Sequence, residues 1–379
     1  MAKTVVQELA EFGQSIWLDN INRFILDTGK LKEMIDLGLR GMTSNPTIFD
    51  KAISSSSDYD GEILKLSNLG KPAFGIYDDL TIKDIQGAAD AFMGVYENTR
   101  GLDGYVSLEI NPQLAFTTQQ TIEEGKRLYQ KVARPNVMFK VPATEEGFKA
   151  IEELIACGIN INITLIFSVK QYTGSAHAYI RGLKRLMLNR GDLSKVRSVA
   201  SVFVSRIDTV VDNLLDEMIE KEKDQQKIAQ LSSLKGRAAV ANSGLIYKKF
   251  LEIFSSPEFK QCEDKDANLQ RVLWGSTSTK NPAYSDIKYV AELIAKNTVN
   301  TMPENTFESF LGQGRVKEAI ASDIRDARRV ISSLENYGID IDKVCAKLLE
   351  DGVIAFEKSF ASLLRSLEEK AKSGRCLNV

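Results

Sequence analysis

The sequence predicts a (β/α)8 barrel (TIM barrel) of the α/β class, with extra helices at the N-terminus, after the sixth strand and at the C-terminus. Eight short apolar segments with strand-like alternation occur between about residues 15 and 303, and helical segments separate most of them. Strands that alternate with helices are typical of a parallel sheet, and eight of them favour closure into a barrel. We expect one domain over residues 1–379, ending in a helical segment over about residues 309–372.

Composition excludes several classes of protein. The 379 residues are 43% apolar and 26% charged, which is typical of a globular protein with a sizeable core. A net charge of −2 gives no reason to expect nucleic acid or an anionic membrane as a partner. No run of about 18 apolar residues occurs, and the first residues lack the layout of a signal peptide, so we expect a cytoplasmic protein.

The numbers and positions of cysteine and histidine residues limit the kinds of catalytic and metal sites that this chain could form. The four cysteines are widely spaced without a C-x-x-C pair, which argues against a zinc site and fits a reducing compartment. We expect Cys157 to be a small buried residue. The single histidine, His177, lies in a helix-like segment and is expected to be a packed or half-exposed helical residue. With no metal or cofactor motif, catalysis would depend on Lys, Asp, Glu, Asn, Ser or Thr.

Periodicity and end signals assign the elements in order. The predicted strands cover residues 15–21, 41–46, 105–112, 137–142, 160–168, 198–206, the first part of 272–282, and 297–303. The predicted helices cover residues 5–12, 31–38, 77–98, 118–133, 145–158, 172–189, most of 207–262, 285–295 and the remainder to about residue 372. The serine-containing stretch over residues 51–71 is expected to begin as a polar loop.

The fourth strand, VMFKVPAT, contains a lysine in an otherwise apolar run. Alternation places Met138 and Lys140 on the face opposite three apolar residues. Burying an ammonium without a partner costs several kcal/mol or forces a pKa shift. From this strand alone two interpretations stay open, a structural ion pair with an Asp or Glu and a functional lysine.

Other strand ends carry polar residues whose parity would direct them into the same pocket. These residues are Asp19, Asn45, Glu109, Asn162 and Thr164. Around one lysine, and without histidine or metal motifs, they indicate covalent catalysis through a Schiff base. The lysine amine would condense with a ketone, and the carboxylates of Asp19 and Glu109 would serve the proton transfers. This convergence favours the catalytic interpretation of Lys140 over the structural one.

The segments GMTSNPTIF, VMFKVPATEEG and INITLIFS closely resemble the signature segments of the transaldolase family, which are Schiff-base barrel enzymes of the class I aldolase type. ASVFVSRID, LWGSTSTKNP and NTVNTMP add matches on later strands, so the resemblance runs from about residue 16 to residue 303. The length and the helical tail resemble the longer bacterial-type subgroup of this family.

The resemblance implies roles for individual residues. Lys140 matches the lysine that forms an imine with the dihydroxyacetone unit of a ketose phosphate, and Asp19 matches the acid/base residue for C–C cleavage. Glu109 and Thr164 match the pair that holds a water for proton shuttling. The remaining matches are substrate-binding residues, namely Asn45, Asn162, Ser201 and Phe203 in the pocket and Arg206, Ser276 and Lys280 for phosphate.

The phosphate-binding assignment has an alternative. The guanidinium fork of Arg206 suits phosphate, but taken alone Arg206 would be expected to form a surface ion pair with Asp208 or Asp212. Lys280 stands where other branches of the family use an arginine with different spacing.

The resemblance implies a transaldolase of the pentose phosphate pathway, which needs neither cofactor nor metal. Such an enzyme moves a dihydroxyacetone unit from sedoheptulose 7-phosphate to glyceraldehyde 3-phosphate, giving erythrose 4-phosphate and fructose 6-phosphate. The short fructose-6-phosphate aldolases resemble this pattern with glutamine in place of Glu109 and tyrosine in place of Phe203. Two rivals stay open, an aldolase that releases free dihydroxyacetone and a non-catalytic sugar-phosphate-binding barrel. The sequence is compatible with a monomer or a homodimer.

Overall fold

The computed structural model describes residues 3–320 and 324–376, and the side chains of residues 374–376 are not among those described. Eight strands occur in these ranges: β1 Gln14–Asp19, β2 Gly41–Thr43, β3 Tyr105–Glu109, β4 Val137–Pro142, β5 Ile161–Ile166, β6 Ser198–Phe203, β7 Arg271–Gly275 and β8 Thr298–Met302. All neighbours pair in parallel, in sequence order, and β8 pairs with β1 to close the barrel. The predicted (β/α)8 barrel is confirmed.

Helices surround the barrel and extend beyond it. In the described part of the chain they are α1 Val5–Phe12, α2 Arg23–Asp27, α3 Lys30–Asp36, α4 Pro46–Ser54, α5 Asp60–Asn68, α6 Ala73–Ala91, α7 Met93–Asn98, α8 Thr118–Val132, α9 Glu145–Ala156, α10 Val169–Leu188, α11 Ser205–Lys221, α12 Gln225–Ser232, α13 Ala238–Phe254, α14 Pro257–Glu263, α15 Lys288–Ala291, α16 Glu304–Gln313, α17 Arg325–Asn336 and α18 Ile341–Cys376. Short 3-10 helices cover Pro112–Leu114 and Leu193–Lys195. Every described helix is too short or too polar to cross a lipid bilayer.

The barrel interior has an apolar layer below a polar one. The apolar side chains come from six strands and are Trp17, Tyr105, Met138, Val199, Leu273 and Val299. Asp19, Glu109 and Lys140 lie further along their strands at the same parity, so alternation points them inward above this layer. The carboxyl ends of parallel strands meet at one end of the barrel, and this level therefore forms the floor of a pocket.

Strand ends and one loop differ from the sequence-based prediction. β2 stops at Thr43 because Asn45 caps α4, accepting a hydrogen bond from the backbone N–H of Ile48 at 2.9 Å, with Pro46 as the first helical residue. β6 stops at Phe203, so Arg206 lies in the first turn of α11 rather than at a strand end. The loop predicted to begin at residue 51 covers only residues 55–59, because α4 continues to Ser54 and α5 begins at Asp60.

The cysteines and the single histidine differ in their exposure. Cys157, the residue that follows α9, is exposed, contrary to the expected buried position. Cys262 and Cys345 are buried, and these three cysteines are free thiols. The side chain of Cys376 lies outside the described residues. His177 is a half-exposed residue of α10, as expected, and its Nδ1 lies 3.5 Å from Glu258.

The long helix α18 packs against α4, α5, α6 and α11 on the outside of the barrel. Its Lys370 donates to the backbone carbonyl of Ser56 at 2.7 Å and to the carboxylate of Asp60 at 2.6 Å. Cys345 lies with its thiol 3.2 Å from the carbonyl oxygen of Phe167, just beyond β5. These contacts hold α18 beside the carboxyl ends of the strands.

We expect Gly104→Ala to lower the free energy of unfolding by about 3 kcal/mol, measured by denaturant melts. Gly104 has a φ of +87°, and a Cβ there would lie 2.5 Å from the backbone nitrogen of Tyr96. The matched control is Gly87→Ala within α6, where a Cβ meets nothing within 4 Å. The free energy of unfolding of Gly87→Ala should rise by about 0.5–1 kcal/mol. Equal effects of the two changes would contradict the prediction.

Candidate active site

A cavity of about 350 Å³ opens at the carboxyl ends of the barrel strands. The predicted site residues that line it are Asp19, Asn45, Lys140, Asn162, Ser201, Phe203, Arg206, Ser276 and Lys280. Glu109 and Thr164 are not among its lining residues but lie beside Lys140, on the strands that flank β4. The structure therefore brings residues from several strand ends and the segments that follow them to one place.

Lys140 is the buried cation at the floor of this cavity. Its side chain is buried, its Nζ lies 2.9 Å from Oε2 of Glu109, and it donates to the backbone carbonyl of Ser44 at 2.7 Å. Register explains the pairing, since Glu109 on β3 is directly opposite Lys140 on β4. Desolvating an ion pair largely cancels its Coulombic gain, so this pair is weak evidence for a role in stability.

The two carboxylates near Lys140 both have raised pKa values. Burial raises the pKa of Asp19, against the opposing effects of the Lys140 ammonium and of a 2.7 Å hydrogen bond from Thr43. Burial also raises the pKa of Glu109, again opposed by Lys140, and the charge of Asp19 adds to the increase. Buried carboxyl groups with raised pKa values beside a lysine are suited to give and take protons.

Thr164 occupies the level just above Lys140, on the neighbouring strand. It pairs in register with Pro142, two residues beyond Lys140, and its side chain is fully buried. Its hydroxyl has no hydrogen-bond partner among the described residues. A buried hydroxyl without a protein partner is a group that a water or a substrate atom can satisfy.

Asn162 is held rigidly between two serines. Its Nδ2 donates to the hydroxyl of Ser107 at 3.1 Å, and its Oδ1 accepts from the hydroxyl of Ser201 at 2.6 Å. Asn162 is directly opposite Lys140 in the β4–β5 register, and both residues line the cavity. A fixed amide and hydroxyl at this depth are suited to recognise sugar hydroxyls.

Cations lie at the outer end of the cavity. Arg206 lies with its guanidinium carbon 5.2 Å from the ring centroid of Phe203, and it forms no ion pair with any described residue. Asp208 and Asp212 bond instead to tyrosines and backbone N–H groups, so the surface ion pair considered for Arg206 is not formed. Lys280 is exposed and donates only to Ser278 within the described chain, at 3.1 Å.

Sequence reasoning missed several groups of this site. Thr43 donates to Asp19, and its hydroxyl also lies 2.8 Å from that of Thr301. The parity that singled out Asn45 applied equally to Thr43 and could have identified it. Phe356 of α18 lines the cavity, and Lys140 Nζ lies 6.0 Å from its ring centroid. Phe356 belongs to the apolar periodicity of α18, but that periodicity does not show which part of the protein the ring contacts, because tertiary packing decides it.

A closed parallel barrel with a buried lysine–carboxylate pair at the carboxyl ends of its strands defines the class I aldolase fold. Comparison with protein-family models narrows this class. Residues 16–367 match the family described as "Transaldolase/Fructose-6-phosphate aldolase", and the chain belongs to that family.

Curated relatives resemble the chain over nearly its whole length. A protein named "Transaldolase" from Trichodesmium erythraeum is 45% identical over 368 residues, which cover 96% of this chain and 97% of the relative. "Transaldolase 2" from Nostoc punctiforme is 41% identical, with coverage of 98% and 99%. "Transaldolase" from Saccharopolyspora erythraea is 42% identical, with coverage of 96% and 97%. The resemblance therefore includes the C-terminal helices as well as the barrel.

Proposed function

We propose that this protein is a transaldolase that moves a dihydroxyacetone unit from sedoheptulose 7-phosphate to glyceraldehyde 3-phosphate, a reaction of the pentose phosphate pathway. Its products are erythrose 4-phosphate and fructose 6-phosphate. The observation that carries the proposal is the position of Lys140, a buried amine at the floor of a cavity that also holds a carboxylate and outer cations. The names of the full-length relatives support the same activity.

The first step forms an imine. The unprotonated amine of Lys140 attacks the C2 carbonyl of the ketose phosphate, and the carbonyl oxygen leaves as water after proton transfer. Glu109 is 2.9 Å from the Lys140 nitrogen and can accept a proton from it. The raised pKa of Glu109 suits a group that both takes and returns a proton, and the unpartnered hydroxyl of Thr164 would hold the water involved.

The second step breaks the C3–C4 bond. Asp19 removes the proton of the C4 hydroxyl, and the C3–C4 electron pair moves toward the iminium nitrogen to give an enamine on Lys140. The aldose phosphate leaves as an aldehyde. The enamine carbon then attacks the aldehyde of the acceptor, Asp19 returns the proton, and water releases the new ketose phosphate.

Substrate recognition divides along the cavity. Asn45, Asn162 and Ser201 would bind hydroxyls of the ketose near Lys140, with Phe203 as part of the pocket wall. Arg206 and Lys280, together with Ser276, would bind the phosphate at the outer end, where Arg206 has no competing carboxylate partner among the described residues.

Two features favour transfer to an aldose over release of dihydroxyacetone. Glu109 and Phe203 are the residue types that the transferases have where the short aldolases carry glutamine and tyrosine. The Phe356 ring from α18 also covers the region above Lys140, which limits the access of water to the intermediate. We further propose a cytoplasmic location, which fits the free thiols of Cys157, Cys262 and Cys345.

Product analysis tests the proposal. With fructose 6-phosphate and erythrose 4-phosphate, we expect sedoheptulose 7-phosphate to form much faster than free dihydroxyacetone, measured by chromatography and mass spectrometry. Without an aldose acceptor, turnover should fall to the slow rate of release into water. Release as fast as transfer would identify an aldolase, and binding without product in either assay would identify a non-catalytic barrel.

A further inference from the structure

The loop between β7 and α15, residues 276–287, carries two of the residues proposed to bind phosphate, and we name it the phosphate loop. Its first residues are fixed to the barrel. The backbone carbonyl of Ser276 accepts from the backbone N–H of Ser205 at 3.0 Å. The hydroxyl of Thr277 donates to Oδ1 of Asn300 and to the backbone carbonyl of Thr301, each at 2.9 Å. Beyond Thr277 the loop leaves the barrel.

The part of the loop that holds Lys280 is closed on itself. The hydroxyl of Thr279 donates to the carbonyl of Ser285 at 2.8 Å, and the N–H of Tyr284 donates to the carbonyl of Asn281 at 3.1 Å. Residues 279–285 therefore form one closed unit. The position of Lys280 depends on where this unit is attached to the rest of the protein.

Tyr284 provides that attachment. Its hydroxyl donates to Oδ2 of Asp212 on α11 at 2.6 Å, while Oδ1 of Asp212 accepts from the N–H of Gly236 at 2.8 Å. Gly236 has a φ of +70°, and a Cβ there would lie 2.7 Å from the Tyr284 ring. The turn between α12 and α13 is thus shaped around the Tyr284 ring, and Asp212 bridges this turn to the phosphate loop.

The loop lies between two cavities. Lys280 lines the active-site cavity and also a second cavity of about 230 Å³, which is bounded by Asp208, Asp212, Tyr284 and Tyr289. Lys280, Pro282, Ala283 and Ser285 are exposed, so apolar packing restrains the closed unit weakly. The Tyr284–Asp212 hydrogen bond therefore has a large share in setting its position.

We propose that Tyr284 and Asp212 are positioning residues that hold Lys280 at the phosphate end of the active site. Helix α11, which supplies Asp212, and the turn between α12 and α13, which supplies Gly236, thereby set the affinity of the site for the phosphate group of its sugar substrates. This inference rests on the proposed function and assigns a role to a part of the chain that contacts no reacting atom.

The test compares Tyr284→Phe with Tyr337→Phe, a matched loss of one hydroxyl whose 2.8 Å hydrogen bond to Gln230 lies on the surface. Three quantities are measured on the full-length protein: the Kd for inorganic phosphate by calorimetry, the KM for fructose 6-phosphate, and the rate of borohydride trapping with unphosphorylated dihydroxyacetone. Tyr284→Phe should raise the phosphate Kd and the KM for fructose 6-phosphate about tenfold, because the hydrogen bond to the Asp212 carboxylate is lost. The rate of borohydride trapping should be nearly unchanged. Tyr337→Phe should change none of them.

A double-mutant cycle separates positioning from general loosening. In a Lys280→Ala background, Tyr284→Phe should raise the phosphate Kd no further, since its effect acts through Lys280. If the effects add in full, if trapping slows in parallel, or if Tyr284→Phe behaves like Tyr337→Phe, the inference is wrong.

If Tyr284→Phe does not fold, Asp212→Asn takes its place. Asp212→Asn keeps the shape of the hydrogen-bond acceptor without its charge and should also raise the phosphate Kd. A wild-type protein that binds phosphate but forms no imine would contradict the proposed function instead.

Discussion

Lys140→Ala is expected to abolish the adduct that borohydride traps with fructose 6-phosphate and to lower kcat/KM for transfer by on the order of 10⁴-fold or more. The physical reason is that the covalent intermediate cannot form without the amine. Peptide mass spectrometry of the wild-type protein should place the reduced adduct on the peptide that contains Lys140. An adduct on another peptide, or retained turnover in the variant, would point to a different nucleophile.

The variant should retain the fold. Removing the ammonium leaves Glu109 without its partner at 5% exposure, but burial already raises the pKa of this carboxyl group. Glu109 can therefore take up a proton rather than remain a bare buried charge. Circular dichroism should be unchanged. The matched control is Lys51→Ala, because Lys51 also lines the cavity but is exposed, and this variant should still form the adduct.

Asp19→Asn is expected to lower kcat for transfer by about 10²- to 10⁴-fold while the trapped adduct on Lys140 persists. The amide keeps the shape and can still accept the hydrogen bond from Thr43, but it cannot take the proton of the C4 hydroxyl. Asp36→Asn, on the surface, serves as the control and should leave both quantities unchanged. Loss of the adduct together with turnover would show that Asp19 acts in imine formation or in structure instead.

Asp19→Asn should also change the pH dependence of kcat/KM. Burial raises the pKa of Asp19, so the active carboxylate is lost at a higher pH than for an ordinary aspartate as the solution is acidified. The acidic limb of the wild-type kcat/KM profile should therefore lie above 3.8, the value for an ordinary aspartate, and Asp19→Asn should remove the part of this limb that Asp19 causes.

Asp19→Asn, which lowers activity, should raise the stability of the fold at neutral pH. Because the folded state binds the proton of Asp19 more tightly than the unfolded state does, this group costs stability as pH rises from the unfolded pKa through its higher folded pKa. Asp19→Asn removes that cost, so its melting temperature at neutral pH should exceed that of the wild type. A lower melting temperature would contradict this account.

Local alternation predicted the two faces of β4 well. The opposite parity of Lys140 and its apolar neighbours on β4 is visible in five consecutive residues, and the structure shows the same two faces. The ends of the strands were less predictable, because a strand stops where a following residue caps the next helix. Asn45 continues the strand parity in the sequence, yet its side chain caps α4 and the strand has already ended.

The contribution of the C-terminal helix could not be predicted from its sequence. The apolar periodicity of α18 indicated a helix but not what its apolar face would cover. Only packing against α4, α5 and α6 brings Phe356 to a distance of 6.0 Å from the nitrogen of Lys140.

By itself the sequence determined the eight alternating strands and helices, and with them the inward direction of Asp19, Glu109 and Lys140, because side-chain alternation is a property of neighbouring residues. The tertiary structure alone decided the pairing of Lys140 with Glu109 and the attachment of Tyr284 to Asp212. These contacts join residues far apart in the chain, and they form only when closure of the barrel and packing of the inserted helices offset the entropy of bringing the segments together.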